Sequence, residues 1–238
     1  MERIFILITA LLMTSSSYSQ TAKEYFYRGI EKSRLEDYKG AILEYNKAIE
    51  LDPEYAMSYI GRGDAKFQLE DYKGAILEYN KAIELNPKSA LSYSVRGDAK
   101  FQLSDYKGAI ADFTEAIGDD PNYLIAYCKR GDAKLNLQDY RGAIADYTKA
   151  IELDPVKLVS NMVYFPRGLA KTKLQDFRGA ITDYTFAIEH FPKYAEAYYQ
   201  RGLAKIELRQ KDSGCLDFSK AGELGYSEAY EAIKKYCQ

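Results

Sequence analysis

The chain has 238 residues, with 33 Lys and Arg against 35 Asp and Glu, and a formal net charge of -2 at pH 7. This balance, with no run of Lys or Arg, excludes the concentrated positive field that phosphate binding needs, so no nucleic-acid partner is expected. The length is ample for a sizeable core, in one compact domain or two small ones.

The first residues read differently from the rest. Arg3 and the amino terminus precede an apolar run from Ile4 to Met13 broken only by Thr9, and a small polar stretch from Thr14 to Gln20 follows. A charged start, a short apolar centre and the small-x-small site Ser17-Tyr18-Ser19 are the plan of a secretory signal peptide, although Glu2 weakens the positive end. The expectation is a signal peptide at 1–19 and a mature chain from Gln20, exported to the periplasm or the extracellular space. The apolar run is shorter than the roughly 20 residues of a membrane-spanning helix. No Cys marks a lipid anchor, and no other long apolar stretch follows, so stable membrane insertion is not expected.

From residue 22 onward the chain repeats itself. Gly29, Gly63, Gly97 and Gly131 keep a constant step of 34 residues, as do Gly168 and Gly202, and Pro53, Pro87, Pro121 and Pro155 keep it too. Between the fourth and fifth units the step is 37, placing three extra residues within Val156 to Arg167. The units are 22–55, 56–89, 90–123, 124–157, 161–194 and 195–225. Numbered so that the glycine is position 8, position 4 is always Tyr, position 24 always aromatic, position 27 always Ala, and position 20 Ala until Gly214 replaces it. Positions 4, 7/8 and 11 share one helical face, and 17, 20/21, 24 and 27/28 share another, so each unit predicts two amphipathic helices. Small residues at 8 and 20 let the two approach closely. Asp37, Asp71, Asp105, Asp139 and Asp176 at position 16 suit the cap of the second helix, and Pro at position 32 stops it.

Pro166 falls inside the fifth unit's first helix, which predicts a shortened or kinked helix there. Tyr226 to Gln238 predicts a further helix with Ser227 as its cap, closing the array with a water-tolerant face at 226–238.

The pattern of aromatic 4, Gly 8, Ala 20, aromatic 24, Ala 27 and Pro 32 resembles the tetratricopeptide repeat family, over essentially all of residues 20–238. Departures are Tyr for the usual Trp at position 4, Lys for Tyr at position 11, and Lys211 at position 17 of a sixth unit that lacks the Pro. The resemblance implies an all-α right-handed solenoid of six helix-turn-helix units, here read as an exported bacterial array. It also implies a non-enzymatic scaffold whose partner is a protein or peptide.

In that family the first helices line a concave groove through positions 2, 5, 9, 12 and 13. Carried over, the groove residues are Met57, Ile60, Asp64, Phe67, Leu91, Asp98, Phe101, Ile125, Asp132, Leu135, Phe165 and Tyr199. The surface is apolar with an acidic rung, Asp64–Asp98–Asp132, and suits a segment with hydrophobic anchors and a basic residue. Phe26 and Ile30 stand where chaperone-tail binders carry Lys and Asn, so that activity is not expected. The alternative is a structural or self-associating array that uses its ends or its convex face.

Other constellations read as structural or stay open. Arg28, Arg62, Arg96, Arg130, Arg167 and Arg201 recur at position 7, in step with Glu44, Glu78, Asp112, Asp146, Asp183 and Asp217 at position 23. This predicts an Arg–carboxylate bridge between the helices of each unit rather than an anion-binding ladder. Cys215 and Cys237 lie in the last two predicted helices, so a bridge there and three unpaired cysteines are both consistent with the spacing. His190 is the only His, and no nucleophile, phosphate loop or dinucleotide motif accompanies it. No enzyme activity, metal or cofactor is expected.

Overall fold

The computed structural model describes residues 21–154 and 160–238. The leader predicted at 1–19 lies outside these residues, as does part of the predicted insertion. Every element among the described residues is a helix: α1 (21–34), α2 (Tyr38–Leu51), α3 (Ala56–Gln68), α4 (Tyr72–Leu85), α5 (Ala90–Gln102) and α6 (Tyr106–Asp119) come first. There follow α7 (Leu124–Asn136), α8 (Tyr140–Glu152), α9 (Ser160–Lys173), α10 (Phe177–His190), α11 (Ala195–Glu207), α12 (Lys211–Glu223) and α13 (Glu228–Tyr236). The chain divides into two compact units, one ending at Pro121 and one beginning at Asn122, and each is considered by itself. This is the all-α array of helix pairs that the repeat pattern predicts.

Each pair is joined by the same turn. The residue at position 15 takes a left-handed backbone, with φ of 60° at Glu36 and 62° at Gln138. The next amide reaches back to position 11, as Asp37 N–H donates to the Lys32 carbonyl at 2.9 Å. That is the Schellman closure of a helix end, made here without the glycine that usually occupies it. Position 16 then starts the second helix, and the carboxylates of Asp37, Asp71, Asp105, Asp139 and Asp176 accept from the amides of Gly40, Gly74, Gly108, Gly142 and Gly179. In the sixth pair Gln210 takes this place and makes no side-chain cap. Ser227 stands before α13 but does not cap it, since its hydroxyl donates to Glu228 instead.

Within a pair the position-24 ring fills the space that glycine leaves. A Cβ at Gly63 would sit 2.5 Å from the Tyr79 ring, and one at Gly131 would sit 2.6 Å from the Tyr147 ring. The alanines at 20 and 27 are fully buried, from Ala41 and Ala48 to Ala180 and Ala187. In the first unit Tyr59, Ile60, Tyr79 and Ala82 form one such core, and in the second Tyr164, Phe165, Tyr184 and Ala187 form another.

The helix through Pro166 is not the shortened one the sequence predicts. Helix α9 runs unbroken from Ser160 to Lys173, 14 residues with Pro166 inside it, so it is no shorter than its equivalents. Pro166 removes one donor, and the carbonyl that loses it belongs to Met162, a residue that is 68% exposed. The packing of Val163 onto Ala143 and Tyr147, and of Tyr164 and Phe165 onto α10, outweighs that loss.

Candidate binding groove

The first helices of the first unit line two adjoining clefts. One, of about 380 Å³, is lined by Ile30, Ser33 and Arg34 of α1, Tyr38 and Tyr45 of α2, and Asp64, Ala65 and Gln68 of α3. The second, of about 240 Å³, is lined by Asp64, Phe67 and Gln68 of α3, Tyr79 of α4, and Val95 and Asp98 of α5. Asp64 and Gln68 belong to both, so the two adjoin along positions 9 to 13 of successive first helices, with Val95 at position 6 beside them. Phe67 and Phe101 are half-buried, and each leans edge-on against the tyrosine that opens its second helix, Tyr72 at 5.1 Å and Tyr106 at 5.2 Å. Met57 and Leu91 are each 40% exposed.

The acidic rung has a structural origin. Tyr79 must bury its ring against Gly63, and its hydroxyl emerges at the groove base, where it donates to Asp64 Oδ1 at 2.7 Å. In the second unit Tyr147 donates to Asp132 Oδ1 at 2.8 Å. The surrounding protein, and secondarily the charge of Asp98, push the Asp64 carboxyl up against the Tyr79 hydrogen bond, to about 6. Its outer side remains open to water. Burial and the neighbouring carboxylates raise the Tyr79 and Tyr147 hydroxyls, which keeps both as donors at neutral pH.

The remaining predicted residues divide. Ile60 and Phe165, both at position 5, are buried at 5% and 8% and belong to the cores of their units, so they offer a partner no surface. Position 5 faces the aromatic that ends its own repeat, as Phe165 meets Tyr194 at 4.6 Å and Phe26 meets Tyr55 at 5.3 Å. In the second unit Ile125 is 46% exposed, while Asp132, Leu135 and Tyr199 are half-buried. Leu135 packs against the Tyr147 core, and Tyr199 packs against Phe218 and Tyr226. The structure therefore brings Asp64, Phe67 and Asp98 together around one cleft and leaves Met57 and Leu91 exposed.

The arginine ladder is structural, as its spacing predicts. Arg96, Arg130, Arg167 and Arg201 each grip Asp112, Asp146, Asp183 or Asp217 with two parallel bonds of 2.9 and 2.7 Å. Sequence reasoning missed two further parts. Lys100, Lys134, Lys171 and Lys205 at position 11 bind the same carboxylates, which explains why Lys replaces the family's Tyr there. The third arm of the guanidinium crosses to the repeat before: Arg96 donates to Asn80 at 2.7 Å and Arg201 to Thr185 at 3.0 Å. The signal was available, because Lys recurs four residues after every such Arg, on the same helical face.

Cys215 and Cys237 are bridged, with Cα atoms 5.8 Å apart. Cys128 is unpaired and half-buried, and burial pushes its thiol up to about 12, so it is not a nucleophile at neutral pH. His190 bonds the Phe186 carbonyl within its own helix at 2.8 Å. Among the described residues no cluster of metal-ligating side chains occurs, and no helix is long and apolar enough to cross a membrane.

Sequence profiles described as TPR repeat match residues 34–69, 63–104 and 97–138. Others described as tetratricopeptide repeat match 125–155 and 165–213. No curated protein matches the chain. Among solved structures it is similar to MamA protein, at 26% identity and a TM-score of 0.64, covering 74% of this chain and 95% of that one. It is similar in fold to YrrB, a TPR protein with an unusual peptide-binding site, at 22% identity and a TM-score of 0.71, covering 80% and 97%. It is likewise similar in fold to pilF of Pseudomonas aeruginosa, at 16% identity and a TM-score of 0.78, covering 92% and 99%.

Proposed function

The chain belongs to the tetratricopeptide repeat family, and from that premise we propose that it is a non-enzymatic scaffold holding a partner protein's extended segment in the first unit's groove. The observation that carries this reading is the pair of clefts sharing Asp64 and Gln68, with Ile30, Phe67 and Val95 as their apolar lining and Met57 and Leu91 exposed on the same first helices. Apolar side chains left on a concave surface favour a ligand with hydrophobic anchors. Two carboxylates facing one cleft favour a Lys or Arg between those anchors. YrrB, similar in fold, is described as peptide-binding, which supports the class of partner.

The alternative, self-association through the ends, is disfavoured at α1. Position 3 is buried against the preceding repeat elsewhere, as Val163 on Tyr147 and Ala197 on Tyr184. In α1 the same position is Glu24, exposed and charged. Docking another repeat there would bury that carboxylate, which costs several kcal/mol, on the order of 3 or more.

Export is part of the same proposal. The leader pattern at 1–19 supports it, and so does a disulfide, which persists in oxidising compartments. The mass of the mature chain recovered from the cell envelope checks it; an intact Met1 would count against export.

A displayed random-peptide library panned against residues 20–238 tests the groove. The expected ligands carry apolar anchors and a Lys or Arg, and they are lost with the Phe67→Glu, Phe101→Glu variant while its helical circular dichroism is kept. Ligands indifferent to both changes would move the site away from this groove.

A further inference from the structure

The second unit ends in a helix that is held unlike any other. Helix α13 has nine residues, too few to be stable alone. It lies on α12 where the first helix of a following repeat would lie. Tyr226 packs on Tyr199 at 4.9 Å, as Tyr194 packs on Phe165 at 4.6 Å. The first helices α3, α5, α7 and α11 each present 13 residues to their neighbours, and α9 buries Val163, Tyr164 and Phe165 besides. The buried residues of α13 are Ala229 and Ala232, while Tyr230 is 61% exposed. Two buried alanines with half-buried Ile233 and Tyr236, on a helix this short, remove less apolar area from water than a full-length first helix does, so packing holds α13 less firmly. What remains is a peripheral set: Tyr230 Oη donating to the Gly222 carbonyl at 3.2 Å, Lys211 Nζ donating to the Gln238 carbonyl at 3.3 Å, the Tyr236 ring over Phe218, and the Cys215–Cys237 bond.

We infer that the Cys215–Cys237 disulfide is a redox latch that holds α13 over the end of the second unit, and that a dithiol reductant releases the helix. Both cysteines are half-buried rather than sealed, and exposed Lys234 and Lys235 precede Cys237 in the chain, which favours approach of a thiolate. The attacking thiolate breaks the S–S bond and forms a mixed disulfide with one cysteine while the other leaves as a thiolate. The second thiol of the reductant then displaces the remaining cysteine. The protein gains two electrons and two protons as Cys215 and Cys237 thiols, and the dithiol ends as its own disulfide. With the bond open, the nine-residue helix loses its tether across a separation of 22 residues, and Phe218 loses the Tyr236 ring that covers it. Cys128 is too far raised to take part as an attacking thiol.

Hydrogen exchange of residues 20–238, oxidised and then reduced with dithiothreitol, tests the latch. The expected result is exchange faster by on the order of tenfold or more in 226–238 on reduction, with 160–194 unchanged and protection restored on reoxidation. The Cys215→Ser variant reproduces the reduced pattern without reductant, and Cys128→Ser leaves the response intact. Unchanged protection of 226–238 on reduction would show that packing alone holds the helix. Loss of protection throughout the second unit would show a general staple rather than a latch. Either result overturns the inference.

Discussion

The two units build the same ladder with different acids, and where the acid is Glu, at Glu44 and Glu78 of the first unit, it is built less well. In the second unit Asp146, Asp183 and Asp217 each take both arms of an arginine fork and a lysine besides. In the first unit position 23 is Glu at Glu44 and Glu78 and Asp only at Asp112. Glu78 meets Arg62 through one arm at 2.6 Å and leaves Arg62 Nε buried without a partner, while Glu44 Oε2 also lacks one among the described residues. One extra methylene carries the carboxylate past the position where both of its oxygens face the fork. Arg28 lies over the Tyr25 ring, as each later arginine lies over the tyrosine of its own repeat, and Lys32 bonds the cap Asp37 rather than the acid at position 23. A charge pattern that repeats perfectly in sequence therefore gives unequal bonds, because a bidentate pair tolerates little error in reach.

The largest expected effect comes from breaking the better half. Asp183 is fully buried between Arg167 and Lys171, so Asp183→Ala strands two cations and should cost about 3–5 kcal/mol in urea unfolding. A cost below about 1 kcal/mol would reduce the ladder to the level of surface pairs. Repairing the weaker half sharpens the comparison in the other direction. Glu78→Asp should close the fork around Arg62 and stabilise the first unit by about 1 kcal/mol, and a loss would show that the longer reach is needed for Lys66.

The grooves differ too. In the first unit Tyr79 finds Asp64, but in the fifth repeat position 9 is Leu169 and the Tyr184 hydroxyl shares a hydrogen bond with Thr172 at 2.9 Å. The hydroxyl needs a polar neighbour in either case, and what it finds decides whether the groove is acidic. For Asp64 the folded value, about 6, lies above the ordinary 3.8, so the folded chain holds this proton more tightly than the unfolded one. Its contribution to stability therefore declines as pH rises from about 4 to 6, by about 1 kcal/mol once its access to water is allowed for. Asp64→Asn should remove that decline, seen as a flatter melting temperature between pH 4 and 7. Binding of a basic peptide should run the other way, weakening as pH falls through 6. A pH-independent affinity would take Asp64 out of the site.

The smallest effect is the control. Ser104 and Gln138 hold the left-handed turn at φ of 61° and 62° in the first and second units. Ser104→Gly and Gln138→Gly should each gain about 0.5 kcal/mol, equally, because glycine enters that region without a Cβ clash. Unequal gains would show that the two units strain the turn differently.

Much of this was legible beforehand. The helix pairs, the Asp caps, the stop before Pro and the Arg–acid coupling all follow from contacts within one repeat, and a period of 34 residues repeats them in the sequence. The groove was legible only in part. Position 5 lies on the groove side of its helix by spacing, yet Ile60 and Phe165 are sealed by residues from the adjoining helix and the end of the repeat. The unbroken α9 was misjudged because the local cost of Pro166 is visible in sequence and the packing that opposes it is not.

By itself the sequence determined what each helix is and which residues share its faces, since these depend on spacing and on capping chemistry along one stretch of chain. Only the tertiary structure decided which of those faces remain exposed, which carboxylates reach both arms of an arginine, and that Cys215 meets Cys237. Those outcomes depend on distances between helices, and an ångström of reach that no periodicity records separates a fork from a single bond.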